Sequence, residues 1–559
     1  MGITAITPRY DPQLPGGAPC SRAEWPSTRR KEGATVTVLT RALVKRFGGA
    51  VLVCSGVLAC LFAAAPAAAS ARGCSPPKTA WQFVSAPKLH PMHIHVCRHK
   101  PSTSGGMVFL GPFLDTKYGH SLVGQSGALM VDGGGNPVWF HRAPKGNQDS
   151  DFQTDTYGAT KKPAISFWQG VIAIPPKYTK IPAGAPVRGA YFVYDQHYKL
   201  LTRISAVQNP GKGWVTDFHE LLVTKPSKLH PQGTAIFFAA KRVPKNLRKY
   251  GGAPNGAYED QEVQQVDLAT KKLIFRWDIG QHVPLSASKA HVPKSGTWDP
   301  YHANSIDLNS AGDMLISLRN AWGVYNIKPT GSSSAKIVWK LINGKGSNYS
   351  MNKAARFSWQ HDVRFHGSGQ ISMFDDGCCN LPVGFPGHAA RGLILRLSKG
   401  HATVVRQVHH YNTSVVLTSG SFQVLASGHA FVGWGQDYYY SEYSKTNSLL
   451  YDAAMPRTDM SYRTVKANWV GMPSSKPSAA VRHPKGKLSA VFASWNGATK
   501  VATWKLFAGP KPGKVTGRVA TVKRHGFETA LRTKNKGPYY QVKAYDSHGN
   551  LIGASAVVH

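Results

Sequence analysis

One hairpin pattern recurs along the middle of this chain, and it constrains the fold more than any other feature. A turn with Asp, Gly or Lys leads into an apolar strand that often ends in Trp. MVDGGGNPVWF ends at Trp139 and Phe140, VYDQHYKLLTRI near Ile204, QVDLATKKLIFRW at Trp277, IKPTGSSSAKIVW at Trp339 and LRLSKGHATVVRQV near Val408. The ends lie about 65, 73, 62 and 69 residues apart, a spacing that marks a propeller or a solenoid. A second hairpin interleaves with the first. It opens on a polar residue, turns at Gly and returns as an apolar strand: HELLVTKPSKLHPQGTAIFFA from His219, HANSIDLNSAGDMLISLR from His302, HDVRFHGSGQISMF from His361 and QVLASGHAFVGWG from Gln423. Two hairpins make four strands, the content of one propeller blade. Residues 105–470 divide into six units of about 61. The expected fold is therefore all-β, with a six-bladed β-propeller over 105–473.

The flanks differ from this core. Residues 476–559 hold short strands with fifteen Lys+Arg against two Asp+Glu and read as a small fibronectin-III or immunoglobulin-like β-sandwich. Its charge suits either adhesion to an anionic cell-wall polymer or a basic accessory domain packed on the propeller. At the other end, the apolar run 50–71 follows Arg41, Lys45 and Arg46 and closes on small residues. Residues 1–71 are thus expected to be a signal peptide with an extended n-region, and 72–104 an N-terminal extension with a strand. The expected location is outside the cell or at its envelope. The net charge of the whole chain is +39. Residues 1–71 supply +5 of it, so +34 remains after cleavage and points to anionic partners. No helix-turn-helix or RNP signature accompanies that charge, so nucleic acid is not an expected partner. Four cysteines follow the leader. Cys74–Cys97 is the first pairing expected, while Cys378 and Cys379 are open to a vicinal bridge, reduced thiols or other partners.

The second hairpin carries the chemistry. Polar residues that open the inner strands of a propeller converge at one end of its channel, so His219, His302 and His361 should meet there. Pairing Ile306 with Leu315 sets His302 opposite Arg319, and period-two alternation sets Asn304 on the face of His302. Imidazoles, an amide and a guanidinium in one cluster suit a tetrahedral oxyanion. Arg319 argues against a bound metal, and no cofactor motif is present. His90, His93, His95 and His99 alternate along one segment and read as an ordinary strand.

At these residues the chain resembles the bacterial arylsulfate sulfotransferases, in particular the branch common among exported actinobacterial and fungal proteins. The likeness is carried by YGATKKPAISFWQG (157–170), VTDFHELLVT (215–224), EVQQVDLATKKLIFRW (262–277), WDPYHANSIDLNSAGDMLISLRN (298–320), FSWQHDVRFHGSGQISMFDDG (357–377) and SGSFQVLASGHAFVGWG (419–435). YYSEY, SYR and W-x-G-x-P within 439–473 complete it. The resemblance implies transfer of a sulfuryl group from a phenolic sulfate ester to a phenol acceptor, with no nucleotide donor and no cofactor, through a sulfonylated histidine in a ping-pong cycle. The family's nucleophile falls on His361, and its sulfate-binding and transition-state residues on His219, His302, Asn304 and Arg319. Either His302 or His219 would serve as general acid and base. Trp168 and Tyr301 are candidates to stack on the aryl ring, with ordinary packing as the other reading. YHANSI, SLRN and WKLINGKG depart from the branch's usual pattern without replacing any of these side chains. A non-catalytic envelope propeller that recognises anionic ligands is the alternative function.

Overall fold

The structure is a computed structural model that describes residues 73–115, 121–172, 188–208, 211–378, 388–413, 415–483, 488–534 and 537–559. The expected leader, residues 1–71, and Cys379 lie outside the described residues. Among those described, no helix is long and apolar enough to cross a membrane.

The described chain is all-β, its sheets antiparallel except where the two-residue strands Thr297–Trp298 and Ser350–Met351 pair in parallel, joined by turns and single 3-10 turns. Between residues 95 and 467 it forms six sheets. The first orders Asp459–Ala467, Met107–Leu114, Gly127–Val131 and Pro137–Arg142, so the last strand of the region pairs with the first hairpin. The second starts at Gln148–Tyr157, the third at Val215–Val223, the fourth at Ala303–Leu308, the fifth at His361–His366 and the sixth at Ser421–Val424. His95–His99 extends the outer edge of the sixth by pairing with Leu449–Ala454.

Local chemistry explains the hairpins. Asx side chains close the turns: Asp132 Oδ1 accepts from the N–H groups of Gly134 and Asn136, and Asn309 Oδ1 accepts from those of Ala311 and Asp313. Gly312, at φ 84°, supplies the left-handed residue that the second of these needs. The alternating apolar residues then fill the space between sheets. Val108, Leu110 and Leu129 pack with Phe431, Tyr440 and Tyr451, which joins the sixth sheet to the first. Corresponding clusters lie between the first and second, second and third, third and fourth, fourth and fifth, and fifth and sixth sheets.

The first strands are linked by side chains rather than by ladder bonds. Leu221 N–H donates to Asp151, Ile306 N–H to Glu220, Val363 N–H to Ser305, Phe422 N–H to Asp362 and Thr464 N–H to Ser421. Arg463 Nη1 returns to Asp151 at 2.7 Å, and its Nη2 reaches Glu220 at 2.8 Å. These buried groups satisfy one another where a sheet edge would otherwise be left unpaired.

The register of the His302 hairpin differs from the sequence expectation. Ile306 pairs with Ile316, not Leu315. A bulge at Asn304 then restores the offset, so Ala303 pairs with Leu318 and Arg319 N–H donates to His302 O at 3.2 Å. The strand openings also differ. His219 is the fifth residue of Val215–Val223, His302 precedes its strand and Gln423 is the third residue of Ser421–Val424.

Residues 478–554 form a three-stranded sheet, from Ser478–Arg482, Ser489–Ser494 and Glu528–Thr533, and a four-stranded one. The two sheets enclose Val491, Trp504, Leu506, Leu531, Tyr540 and Val542. This part packs on the first two sheets. Asn496 bonds both the N–H and the carbonyl of Phe140, and Tyr198 Oη donates to Gly497 O. Cys74 and Cys97 are joined in a disulfide, which ties the N-terminal segment to its own edge strand. Cys378 is buried and disulfide-bonded; the Cys378–Cys379 pairing involves a residue outside those described.

Candidate active site

Irregular strands aim the histidines. Register shifts interrupt the first strands of the second, third, fourth and fifth sheets near their starts. Asp151, His302 and Asp362 adopt positive φ at these breaks, at 52°, 49° and 53°. A bulge re-aims the side chains beside it, and here the breaks carry His219, His302 and His361 or their neighbours. His219 and His302 meet edge to face with ring centroids 4.7 Å apart. Tyr462 lies between His219 and His361, at 5.2 and 6.3 Å. His219, His302 and Tyr462 line a cleft of about 240 Å³ together with Phe218, Met460, Thr418 and Ser419.

Each histidine has a carboxylate on Nδ1. His219 Nδ1 donates to Asp217 at 2.7 Å, His302 Nδ1 to Asp299 and His361 Nδ1 to Asp376 at 3.0 Å. The Nε2 atoms of His219 and His302 are thereby left for the cleft. His361 is fully buried, and Ser419 N–H donates to its Nε2 at 3.2 Å. A backbone N–H can only donate, so this bond holds Nε2 unprotonated and sets the proton on Nδ1. Burial, assisted by the charge of Arg319 and by His302 and His219, holds the His361 imidazolium well below the ordinary histidine value of 6.5. Burial also lowers His219, against the pull of Asp217. Desolvation pushes the Asp376 carboxyl well above its usual range, against Arg319.

Arg319 stands between two of these pairs. Its Nη2 is 3.9 Å from Asp376 Oδ2 and donates to Leu417 O at 2.6 Å, and its guanidinium lies 4.9 Å over the Trp359 ring. Arg319 also feels the charge of Asp299. Asn304 follows His302 at the bulge. The bulge turns its amide across to the fifth sheet, where Nδ2 donates to Gln360 O at 2.7 Å. Among the described residues its side-chain oxygen has no hydrogen-bond partner, and its backbone carbonyl accepts from Tyr462 Oη.

Trp168 and Tyr301 do not reach the cleft. Trp168 is fully buried, donates to Thr216 O and stands behind Phe218 with centroids 5.7 Å apart. Tyr301 is also fully buried and donates to Val283 O within the core shared by the third and fourth sheets. Both are large apolar residues on strands or turns whose free space is already filled by neighbouring sheets. The aromatic walls are Phe113, Phe218 and Tyr462 instead, with Phe218 stacked on His219 at 4.0 Å.

Asp217, Asp299, Asp376, Ser419 and Tyr462 escape the sequence reading. Two had a local signal. Asp two or three residues before His, in VTDFH and WDPYH, lets one carboxylate take both the histidine N–H of the backbone and Nδ1, as Asp217 and Asp299 do. Asp376 is fifteen residues from its histidine and Ser419 fifty-eight, so only the fold joins them. The cluster with metal-ligand spacing among the described residues is Cys74, His95 and Cys97, and its two sulfurs are consumed in the disulfide. The His90–His99 segment forms an isolated bridge at Met92 and the strand His95–His99.

The family model described as arylsulfotransferase (ASST) matches residues 189–455, which include His219, His302, Asn304, Arg319 and His361. No curated protein matches the chain. Among solved structures, a protein of unknown function from Bacteroides caccae aligns at 11% identity and TM-score 0.36, covering 65% of this chain and 98% of that one. The periplasmic gluconolactonase of Pseudomonas aeruginosa aligns at 11% and 0.32, covering 77% and 99%. A virginiamycin B lyase from Staphylococcus aureus aligns at 8% and 0.30, covering 71% and 94%. Likenesses this weak bear on neither site nor activity.

Proposed function

Since the chain belongs to the arylsulfotransferase family, we propose that it moves a sulfuryl group from a phenolic sulfate donor to a phenol acceptor through a covalent adduct on His361. Family membership supports arylsulfotransferase activity in general. The observation that carries the finer reading is the Ser419–His361–Asp376 arrangement, a neutral buried imidazole whose Nε2 lone pair is held by a single backbone N–H at the cleft wall. We read the six sheets as blades of a propeller, supported by the side-chain links between successive first strands and by the core between sixth and first sheets. The C-terminal sheets are read as a fibronectin-III or immunoglobulin-like sandwich.

In the first half-reaction His361 Nε2 attacks sulfur. The N–S bond forms, the S–O bond to the aryl group breaks, and the phenolate leaves with the electron pair. His302 or His219, as the imidazolium whose Nδ1–H is held by an aspartate, gives its Nε2 proton to the phenolate and is left neutral. Asp376 balances the positive charge that develops on the His361 ring, at Nδ1–H. Ser419 N–H, freed from Nε2, and Arg319 face the sulfuryl oxygens. Preorganised donors of this kind are worth about 3–4 kcal/mol each. In the second half-reaction the same histidine takes the acceptor's proton, the phenol oxygen attacks sulfur and the N–S bond breaks, which returns neutral His361. The chain is proposed to act after export.

The test is incubation of mature protein with a chromogenic aryl sulfate and a phenol. His361→Ala is expected to lower transfer by about 10⁴-fold or more, and wild type with donor alone to carry a sulfuryl group on His361 by mass spectrometry. Equal rates for the two proteins across a panel of donors and acceptors would reject the reading.

A further inference from the structure

The four-stranded sheet of the C-terminal domain orders Gly517–Lys523, Thr503–Gly509, Tyr539–Tyr545 and Leu551–Ala554. Its inner face is spent on the core, with Trp504, Leu506, Tyr540 and Val542 buried. Alternation turns Lys505, Phe507, Lys543 and Tyr545 outward. In this register Lys505 is directly opposite Lys543, an arrangement that a sheet built only for stability avoids. The two ammonium groups are held apart by their neighbours. Lys505 Nζ lies 3.8 Å from the centroid of the Tyr545 ring, and Lys543 Nζ lies 4.3 Å from that of Phe507. Exposed Lys523 and Arg518 of the adjacent strand extend the basic face.

The domain has no carboxylate to answer these charges. Its two acids are Glu528 and Asp546. Glu528 accepts from the N–H groups of Val84 and Ser85 on the other sheet's side, and Asp546 closes its own turn with His548 and Asn550. Fixed cations with no ion-pair partner among the described residues leave the face complementary to an external polyanion.

We propose that this face binds an acidic polysaccharide. The ring faces of Tyr545 and Phe507 are already occupied by lysines, so they offer nothing for bases to stack on, and a broad sheet does not enter a duplex groove. A linear glycan carrying a carboxylate on successive sugars can instead lie across the strands and meet the lysines as a row. The site is independent of the sulfuryl-transfer reading, because none of its residues belongs to the cleft.

The experiment measures binding of the full mature chain to immobilised polygalacturonate, with neutral dextran and duplex DNA as contrasts. Wild type is expected to bind polygalacturonate with an affinity that falls steeply with salt and not to bind dextran. Lys505→Gln/Lys543→Gln should weaken binding by about tenfold to thirtyfold, the scale of two lysines against an anionic surface, with thermal stability and sulfotransfer unchanged. Phe507→Leu/Tyr545→Leu keeps every charge and should weaken binding severalfold by releasing the two ammonium groups. Lys476→Gln/Lys534→Gln removes two exposed charges elsewhere in the domain and should bind as wild type. Unchanged binding of the Lys505/Lys543 variant, an equal loss in the Lys476/Lys534 variant, or tighter binding to DNA than to polygalacturonate overturns the proposal.

Discussion

At the residue scale, the site depends on what each histidine is denied. His361 is denied water, and burial together with Arg319 keeps it neutral. A cation beside an imidazole disfavours the imidazolium and lowers its pKa. The acid limb for single-turnover sulfonylation of His361 should therefore lie below pH 6.5 in the wild type. In Arg319→Gln that limb should rise towards 6.5, because one cause of the lowering is removed, even though the plateau rate falls. A stopped-flow pH series reads the midpoint separately from the amplitude, and a midpoint that stays put or moves lower contradicts this account. The paired aspartates act in the same way on geometry. With Nδ1 of His219 and His302 engaged, both rings present Nε2 to the cleft. Asp217 and Asp299 stand two and three residues before their histidines, but an imidazole is a candidate by its type alone, whereas a carboxylate becomes one only through the hydrogen bond the fold gives it.

At the scale of elements, the His302 hairpin shows how a pairing rule can reach the right neighbour by the wrong register. A regular ladder through Ile306 and Leu315 and the observed bulged ladder both set Arg319 against His302, because the bulge at Asn304 cancels the one-residue offset. At the bulge the Asn304 amide reaches the fifth sheet, where it donates to Gln360 O. Bulges are set by contacts with neighbouring sheets and leave little trace in one strand's composition. Packing between strands is as strict. A Cβ at Gly189 would lie 2.1 Å from the Trp168 ring, in the wall that supports Phe218. Gly189→Ala should destabilise the protein by about 1–3 kcal/mol through overpacking, read from the midpoint of urea unfolding.

On the scale of the whole molecule, buried charge holds the middle together. Arg463 bonds Asp151, Glu220 and the Asn304 carbonyl, and Arg364 bonds Glu220 and Asp362. Four first strands thus share one ionic network. Burial, with the charge of Glu220, raises Asp151 to about 8 even with Arg463 in place. Arg463→Met leaves these carboxyls without their cation, at a cost of about 3–5 kcal/mol. A carboxyl whose folded pKa is raised binds its proton more tightly in the folded state, so the stability it supports is fullest at low pH and is lost as pH rises through the folded pKa. The variant's deficit should therefore be larger at pH 8 than at pH 5 in thermal melts. A deficit that does not vary with pH would place the damage in packing instead.

The sequence by itself determined the strand content and the recurring hairpins, and it singled out three histidines and an arginine as candidates, because hairpin turns and apolar alternation are local and repeat. It also marked the basic C-terminal segment as β, and that segment's strands pair among themselves in two sheets. Tertiary structure alone decided what surrounds those residues. Trp168 and Tyr301 went into cores between sheets, Asp376 and Ser419 came to His361 from other parts of the chain, and Lys505 met Lys543 across a sheet. Such contacts depend on how separate strands stack and where they bulge, and those choices are made by groups dozens of residues apart.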